Sequence, residues 1–163
     1  MWIPFDKMPA SARVWLYAVE RPLTADEAAQ ANDFLQASIE DWKAHGVPMK
    51  ASFQIYSNQL VVLVADEAYT AASGCSIDAS TRWFKSLSDR TGLDWFDRSL
   101  FFVNEDGGLG KVSTFGIKKA ISEGILTPET KVYPAQVDSL ADWYSWPRPA
   151  QDSTLRRYFA TVS

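Results

Sequence analysis

Leu60-Val61-Val62-Leu63-Val64-Ala65 is an unbroken apolar run of six residues. It is too short for a buried helix and suits a strand. A strand with no polar side chain must be covered on both faces, so the run predicts a central strand of a sheet. Asp66-Glu67 ends it. Ser57-Asn58, just before it, reads as a short turn in which Asn takes positive φ. Ala51-Ser52-Phe53-Gln54-Ile55-Tyr56 alternates in character and predicts the strand entering that turn.

The rest of the chain arranges itself around this pair. Residues 1–12 read as an irregular lead broken by Pro4 and Pro9, with Trp2, Ile3 and Phe5 packed onto the body. Residues 13–20 are β-branched and aromatic and predict a first strand, ended by Arg21-Pro22. Thr24 and Glu27 have the spacing of a capping box. In the helix that follows, Ala28, Ala31, Leu35, Ile39 and Trp42 recur at three- and four-residue steps. His45 is expected in its last turn, with Gly46 in the left-handed position that closes it and Pro48 blocking continuation. A second helix is predicted from about Ser76 to Arg90, with Ile77, Phe84 and Leu87 inward and Gly92 past its end. Residues 98–103 read as a fourth strand, and Asn104-Glu105-Asp106-Gly107-Gly108 as a turn into a fifth around 109–112.

The order β-α-β-β-α-β predicts an α+β fold, a ferredoxin-like antiparallel sheet with an added hairpin. Residues 1–113 are expected to form this core with its lead. Residues 114–163 are expected to be a mixed extension packed on the same domain. In it, 115–123 reads as a short helix ending at Gly124, Thr127-Pro128 as the start of a helical turn, and 131–133 as a brief strand. Trp143, Trp146, Tyr158 and Phe159 are too apolar for a free tail. Two helices cover only one face of a sheet. The extension is expected to cover part of the other face, and a second subunit of a homodimer the remainder.

Composition narrows the function classes. The net charge is −4, and the longest basic clusters are Lys118-Lys119 and Arg156-Arg157. A phosphate-backbone binder needs a basic stripe, so nucleic acid is not an expected partner. One cysteine allows no internal disulfide, and one histidine leaves little for a zinc site. Asp66 and Glu67 lack a third ligand, so no metal or other cofactor is expected. The first residues lack the basic-then-apolar order of a secretory signal, and no apolar run approaches the roughly 18 residues that span a bilayer. A cytoplasmic protein with no membrane partner is the simplest expectation. The seven tryptophans are spread over the whole length and read as core and interface rings.

The expected topology brings distant residues to one edge of the sheet. The end of the first helix, the start of residues 51–56, the end of residues 60–65 and the start of the second helix share that edge. His45, Lys50, Asp66, Glu67 and the segment 73–78 therefore meet there. Cys75 at a helix start would feel the positive end of the dipole, which favours thiolate. His45 could act as its base, with Asp66 or Glu67 orienting the ring. Each residue also has a plain structural reading. Cys75 can be a small buried hydrophobe, and His45 a complement to a helix C-terminus. Ser76 can be an N-cap and Asp78 a first-turn acid, while Asp66-Glu67 can be solvated charges ending a strand. Ser73, Gly74, Ser76 and Asp78 equally suit a ligand site, since free amides at a helix start hold anions.

Met8-Pro9, Ser11-Ala12-Arg13-Val14-Trp15, Trp42, His45-Gly46, Asp66-Glu67 and Ser73-Gly74-Cys75-Ser76-Ile77-Asp78 together resemble a family of small bacterial proteins of about this length. Some of its members carry the name "ABC transporter ATPase". The resemblance runs over most of the chain, and the Ser-Gly-Cys-Ser-Ile-Asp run is its most specific part. It implies a soluble bacterial protein and no particular activity. The ATPase name does not fit this sequence. A P-loop needs Gly-x-x-x-x-Gly-Lys-[Ser/Thr], whereas Gly107-Gly108-Leu109-Gly110-Lys111-Val112 has the wrong spacing and no hydroxyl after the lysine.

Two functions are consistent with these residues. One is a non-catalytic module that binds a small-molecule or protein ligand, with the Cys75 segment as recognition edge. The other is a thiol-dependent enzyme using Cys75, His45 and Asp66 or Glu67.

Overall fold

The apolar run lies in the middle of a sheet, as its composition requires. A computed structural model describes residues 1–159. In it, β1 (Arg13–Ala18) leads through α1 (Ala25–Glu40) and the two-residue strands β2 (Lys43–Ala44) and β3 (Val47–Pro48) to β4 (Ala51–Tyr56), β5 (Leu60–Ala65) and α2 (Gly74–Thr91). β5 pairs antiparallel with β1 on one side and β4 on the other. Trp15, Leu63 and Phe53 are in register across the three strands, as are Tyr17, Val61 and Ile55. Alternation puts all six on one face. There they meet Leu35 and Ile39 of α1, Phe84 and Leu87 of α2, and Trp95 in one apolar core. Val14, Ser52, Val62 and Val64 fall on the opposite face and are also buried.

Of the expected extension, residues 136–143 pack on this unit. Ser139 bridges Arg13, and the amides of Leu140 and Ala141 donate to the carbonyls of Ala12 and Ala10. Trp143 packs on Tyr56 at 5.3 Å between ring centroids. Residues 136–143 thus join residues 1–97 in one compact unit, and the rest of the chain forms a second.

The helix boundaries follow local chemistry where it is strong. Thr24 and Glu27 form both halves of the capping box. Arg21 grips Glu27 with two bonds of 2.9 and 3.0 Å. That pairing, with the Thr24 amide bond, holds the Glu27 carboxyl down at about 2. α1 then stops at Glu40, short of the predicted end, and His45 is not helical. Trp42 continues the apolar spacing, but its bonds lead elsewhere. Its carbonyl accepts from the Met49 amide at 3.0 Å, and its indole donates to the Ser76 carbonyl at 2.8 Å. His45 and Gly46, at φ +52 and +79, turn the β2–β3 hairpin. Gly46 takes its left-handed conformation in that hairpin instead of at a helix end. α2 begins with Ser73 as N-cap, three residues before the predicted start. Gly92 closes it at φ +70.

The predicted fourth strand does not join this sheet. Among the described residues the sheet has three strands, in the order β1-β5-β4. The expected four-stranded ferredoxin-like sheet is not formed among the described residues. Residues 93–97 supply the reason. Leu93 and Trp95 plug the core, and the Glu20 amide donates to the Asp94 carbonyl at 2.9 Å. Where the fourth strand was expected, β1 meets isolated bridges, a parallel one from Phe96 to Ala18 and the antiparallel one from Ser139 to Arg13.

The strand itself forms in the second unit. β6 (Leu100–Val103) and β7 (Leu109–Val112) make the predicted hairpin. α3 (Ile117–Ser122), β8 (Lys131–Val132) and β9 (Arg148–Pro149) follow, in a sheet ordered β7-β6-β8-β9. Gly110 is required, since a Cβ there would lie 2.5 Å from the Phe102 ring. Phe102, Ile117, Ala120, Leu126, Val132, Ala150 and Leu155 form a separate small core. The helix predicted over 115–123 is a 3₁₀ turn, Thr114–Gly116, followed by α3. Thr127-Pro128 starts a turn and no helix, tied by the Thr127 amide donating to Thr130 Oγ1 at 2.9 Å. Residues 160–163 of the predicted extension lie outside those described.

Candidate functional site

The β1-β5-β4 sheet has a rim where Arg13, Ala65 and Ala51 stand in register. Beyond Ala65 the chain turns into the loop 66–73, which is held by its own acids. Asp66 Oδ1 accepts from the Ala68 amide at 3.1 Å, and the Asp66 carbonyl accepts from the amides of Tyr69 and Thr70 at 3.2 Å each. Glu67 Oε2 accepts from the Ala72 amide at 2.9 Å, while its Oε1 lies 3.6 Å from the Arg13 guanidinium. Arg13 also sits 4.7 Å from the Trp15 ring centroid.

The loop is pinned against the hairpin. The Thr70 hydroxyl donates to the Pro48 carbonyl at 3.0 Å, and the Lys50 ammonium lies 4.3 Å from the Tyr69 ring centroid. The Asp66 amide donates to the Lys50 carbonyl at 2.9 Å. The buried bond from the Trp42 indole to the Ser76 carbonyl fixes the start of α2 to the chain entering β2. The rim therefore collects β2–β3, Lys50, Asp66, Glu67 and the start of α2.

Collection is not assembly. His45 is at the tip of the hairpin and exposed, and Cys75 is exposed in the first turn of α2. Neither side chain makes a hydrogen bond or ion pair to another described residue, so the thiol–imidazole bond that general-base activation uses is not made. Asp66 and Glu67 are occupied with the loop and Arg13, and neither orients His45. Ser73 and Ser76 are occupied with each other. The Ser73 amide donates to Ser76 Oγ at 2.7 Å, the Ser76 amide to Ser73 Oγ at 3.1 Å, and Ser76 Oγ to the Ser73 carbonyl at 2.8 Å. The expected N-cap role belongs to Ser73, and Ser76 closes the box from the third helical position. Gly74 opens the helix in open space, and Asp78 is exposed one turn in. Among the described residues no group of three or more His, Cys, Asp and Glu side chains could hold a metal ion. No helix there is long and apolar enough to cross a membrane.

Sequence reasoning missed Val47 and Tyr69. Each is about half exposed, at 48% and 49%. Their segments lie side by side because of the Thr70–Pro48 bond. Neither belongs to a periodic pattern, and the one available signal was an aromatic residue in a loop otherwise built of small side chains. In the second unit an open cleft of about 700 Å³ has Phe102, Val103 and Ile125 among its lining, with Asn104, Glu129 and Lys131. Comparison with family models, curated proteins and solved structures finds no match for this chain.

Proposed function

We propose that the chain is a non-catalytic binding module whose recognition edge is the rim formed by β2–β3 and the loop 66–73. The observation that carries this reading is the pair Val47 and Tyr69. Both are half exposed, and both stand on segments locked together by the Thr70–Pro48 bond and the Lys50–Tyr69 stacking. A pre-formed apolar surface loses little conformational entropy on binding. An aromatic anchor beside an aliphatic one is the kind of contact that dominates protein interfaces. The partner in this reading is a second copy of the chain. Pairing of the same patch across a two-fold axis would bury both anchors.

The resemblance to small bacterial proteins, a cytoplasmic location and the absence of nucleic-acid binding belong to the same reading. The net charge of −4 supports the last. The ferredoxin-like reading of the sheet also belongs here, supported by the antiparallel order β1-β5-β4 alone.

Sedimentation velocity tests the dimer. The wild-type chain of 18.2 kDa is expected to associate reversibly, and the double variant Val47→Ser with Tyr69→Ser is expected to stay monomeric. A wild-type chain that stays monomeric, or a dimer that the double variant leaves intact, would defeat the proposal. The exposure of Cys75 keeps the thiol enzyme as a second reading. There His45→Ala should change the pH dependence of Cys75 alkylation, and an unchanged curve would end it.

A further inference from the structure

Phe115 is 99% exposed, whereas Val47, Tyr69, Ile125 and Tyr144 are about half covered, at 48–58% exposed. Nothing in the folding of the second unit uses that ring. The turn that carries it is closed by Ser113, whose hydroxyl accepts from the Phe115 amide at 3.3 Å and whose carbonyl accepts from the Gly116 amide at 2.8 Å. A polar side chain at position 115 would leave those bonds intact. The backbone runs directly into α3, whose inward side chains are Ile117, Ala120 and Ile121. Side chains three and four steps apart share a face of a helical path. Phe115, Lys118 and Lys119 therefore form an outward stripe of one ring and two cations. Lys118 is exposed, and Lys119 is 79% exposed and only loosely paired with Glu123 at 3.8 Å.

The charge around the stripe is local. The second unit carries 8 basic and 5 acidic side chains, a net +3, while the first carries 8 and 15, a net −7. We propose that the Phe115–Lys118–Lys119 stripe is a docking site for an acidic peptide segment bearing apolar side chains. The ring packs on the apolar side chains, and the two lysines pair with carboxylates of the segment. Charge complementarity of this kind speeds encounter and selects the partner. An anionic lipid surface is a poorer occupant, because one ring inserts weakly and two lysines fall short of the basic cluster that such a surface recruits. This site is separate from the rim and stands or falls independently of it.

The test pans a random displayed-peptide library against the full chain, then measures a selected peptide by fluorescence anisotropy. Selected sequences are expected to combine Asp or Glu with apolar residues. Phe115→Ala is expected to weaken binding about tenfold or more, as loss of a central anchor does. Lys118→Glu with Lys119→Glu should weaken it comparably, and added salt should weaken the wild-type complex. Unchanged thermal midpoints confirm that both variants fold, as exposed positions allow. Failure to enrich any peptide, enrichment without acidic bias, or binding indifferent to Phe115→Ala overturns the proposal. So does Phe115-dependent binding to phosphatidylserine vesicles, or Phe115-dependent self-association, either of which gives the stripe a different occupant.

Discussion

The first unit hangs its core on two helices of 16 and 18 residues laid on one face of a sheet. In the second, the longest helix among the described residues has six residues, and the core is closed by turns and short strands. Both bury large side chains, but they specify their structures differently. Long amphipathic helices tolerate local error, because many contacts agree on the same register. A small unit of short elements depends on single positions where the backbone must come close. Gly110 is such a position, with Phe102 and Asn104 both under 3 Å from where a side chain would begin. The two units also differ in charge sign and in how they present exposed rings. The first holds Tyr69 under a lysine on a pinned loop, and the second holds Phe115 out alone on a capped turn. A ring with a neighbour on one side suits a surface that mates flat, whereas a solitary ring suits insertion.

This contrast can be broken by experiment. Leu35 is fully buried in the first core. Leu35→Ala should cost about 2–5 kcal/mol in denaturant unfolding. Amide exchange should then rise across β5 while β6 keeps its protection. Equal loss in both strands would show that the two cores unfold as one, and the comparison would collapse. Gly110→Ala should do the converse, at about 1–3 kcal/mol of overpacking, with faster exchange in β6 and β7. A neutral result would mean that the Phe102 ring moves aside cheaply and that the second unit is less exacting than described. The smallest effect is expected from Glu27→Gln at the start of α1. The folded-state carboxyl is held at about 2, below its ordinary 4.5. Its stabilising contribution is therefore present above about 4.5 and disappears as pH falls through about 2. Thermal midpoints measured over that window should fall more steeply for the wild type than for the variant, and parallel curves would show that Arg21 adds nothing. An exposed pair of this kind is worth little, which places it last.

What could be read without coordinates was whatever depends on neighbours in the chain. The Thr24–Glu27 box, the closure of α2 at Gly92 and the β6–β7 hairpin are local, and each formed. The central place of Leu60–Ala65 was legible because no arrangement but burial on both faces accommodates six apolar side chains in a strand. Trp42 misled because its spacing satisfies the helical period while its hydrogen bonds go to Met49 and Ser76. Residues 98–103 were legible as a strand but not as to their partner, since β8 lies some thirty residues further on. At the rim, the convergence of His45, Asp66, Glu67 and Cys75 segments followed from chain direction alone. The occupations of Glu67 with Arg13 and Ala72, and of Ser73 with Ser76, did not. Side-chain partners are chosen by position and distance, and neither is written in residue type.

Sequence alone determined the place of the longer strands and helices, the Thr24–Glu27 cap, the β6–β7 turn, the burial of β5 and the acidic character of the chain, because these rest on contacts within a few residues or on composition. Tertiary structure decided which sheet received Leu100–Val103, where α1 ended, and that the Cys75 and His45 side chains stand exposed and apart while Asp66 and Glu67 brace a loop. Those outcomes turn on bonds between segments far apart in the chain, where many pairings satisfy the local pattern and only packing selects one.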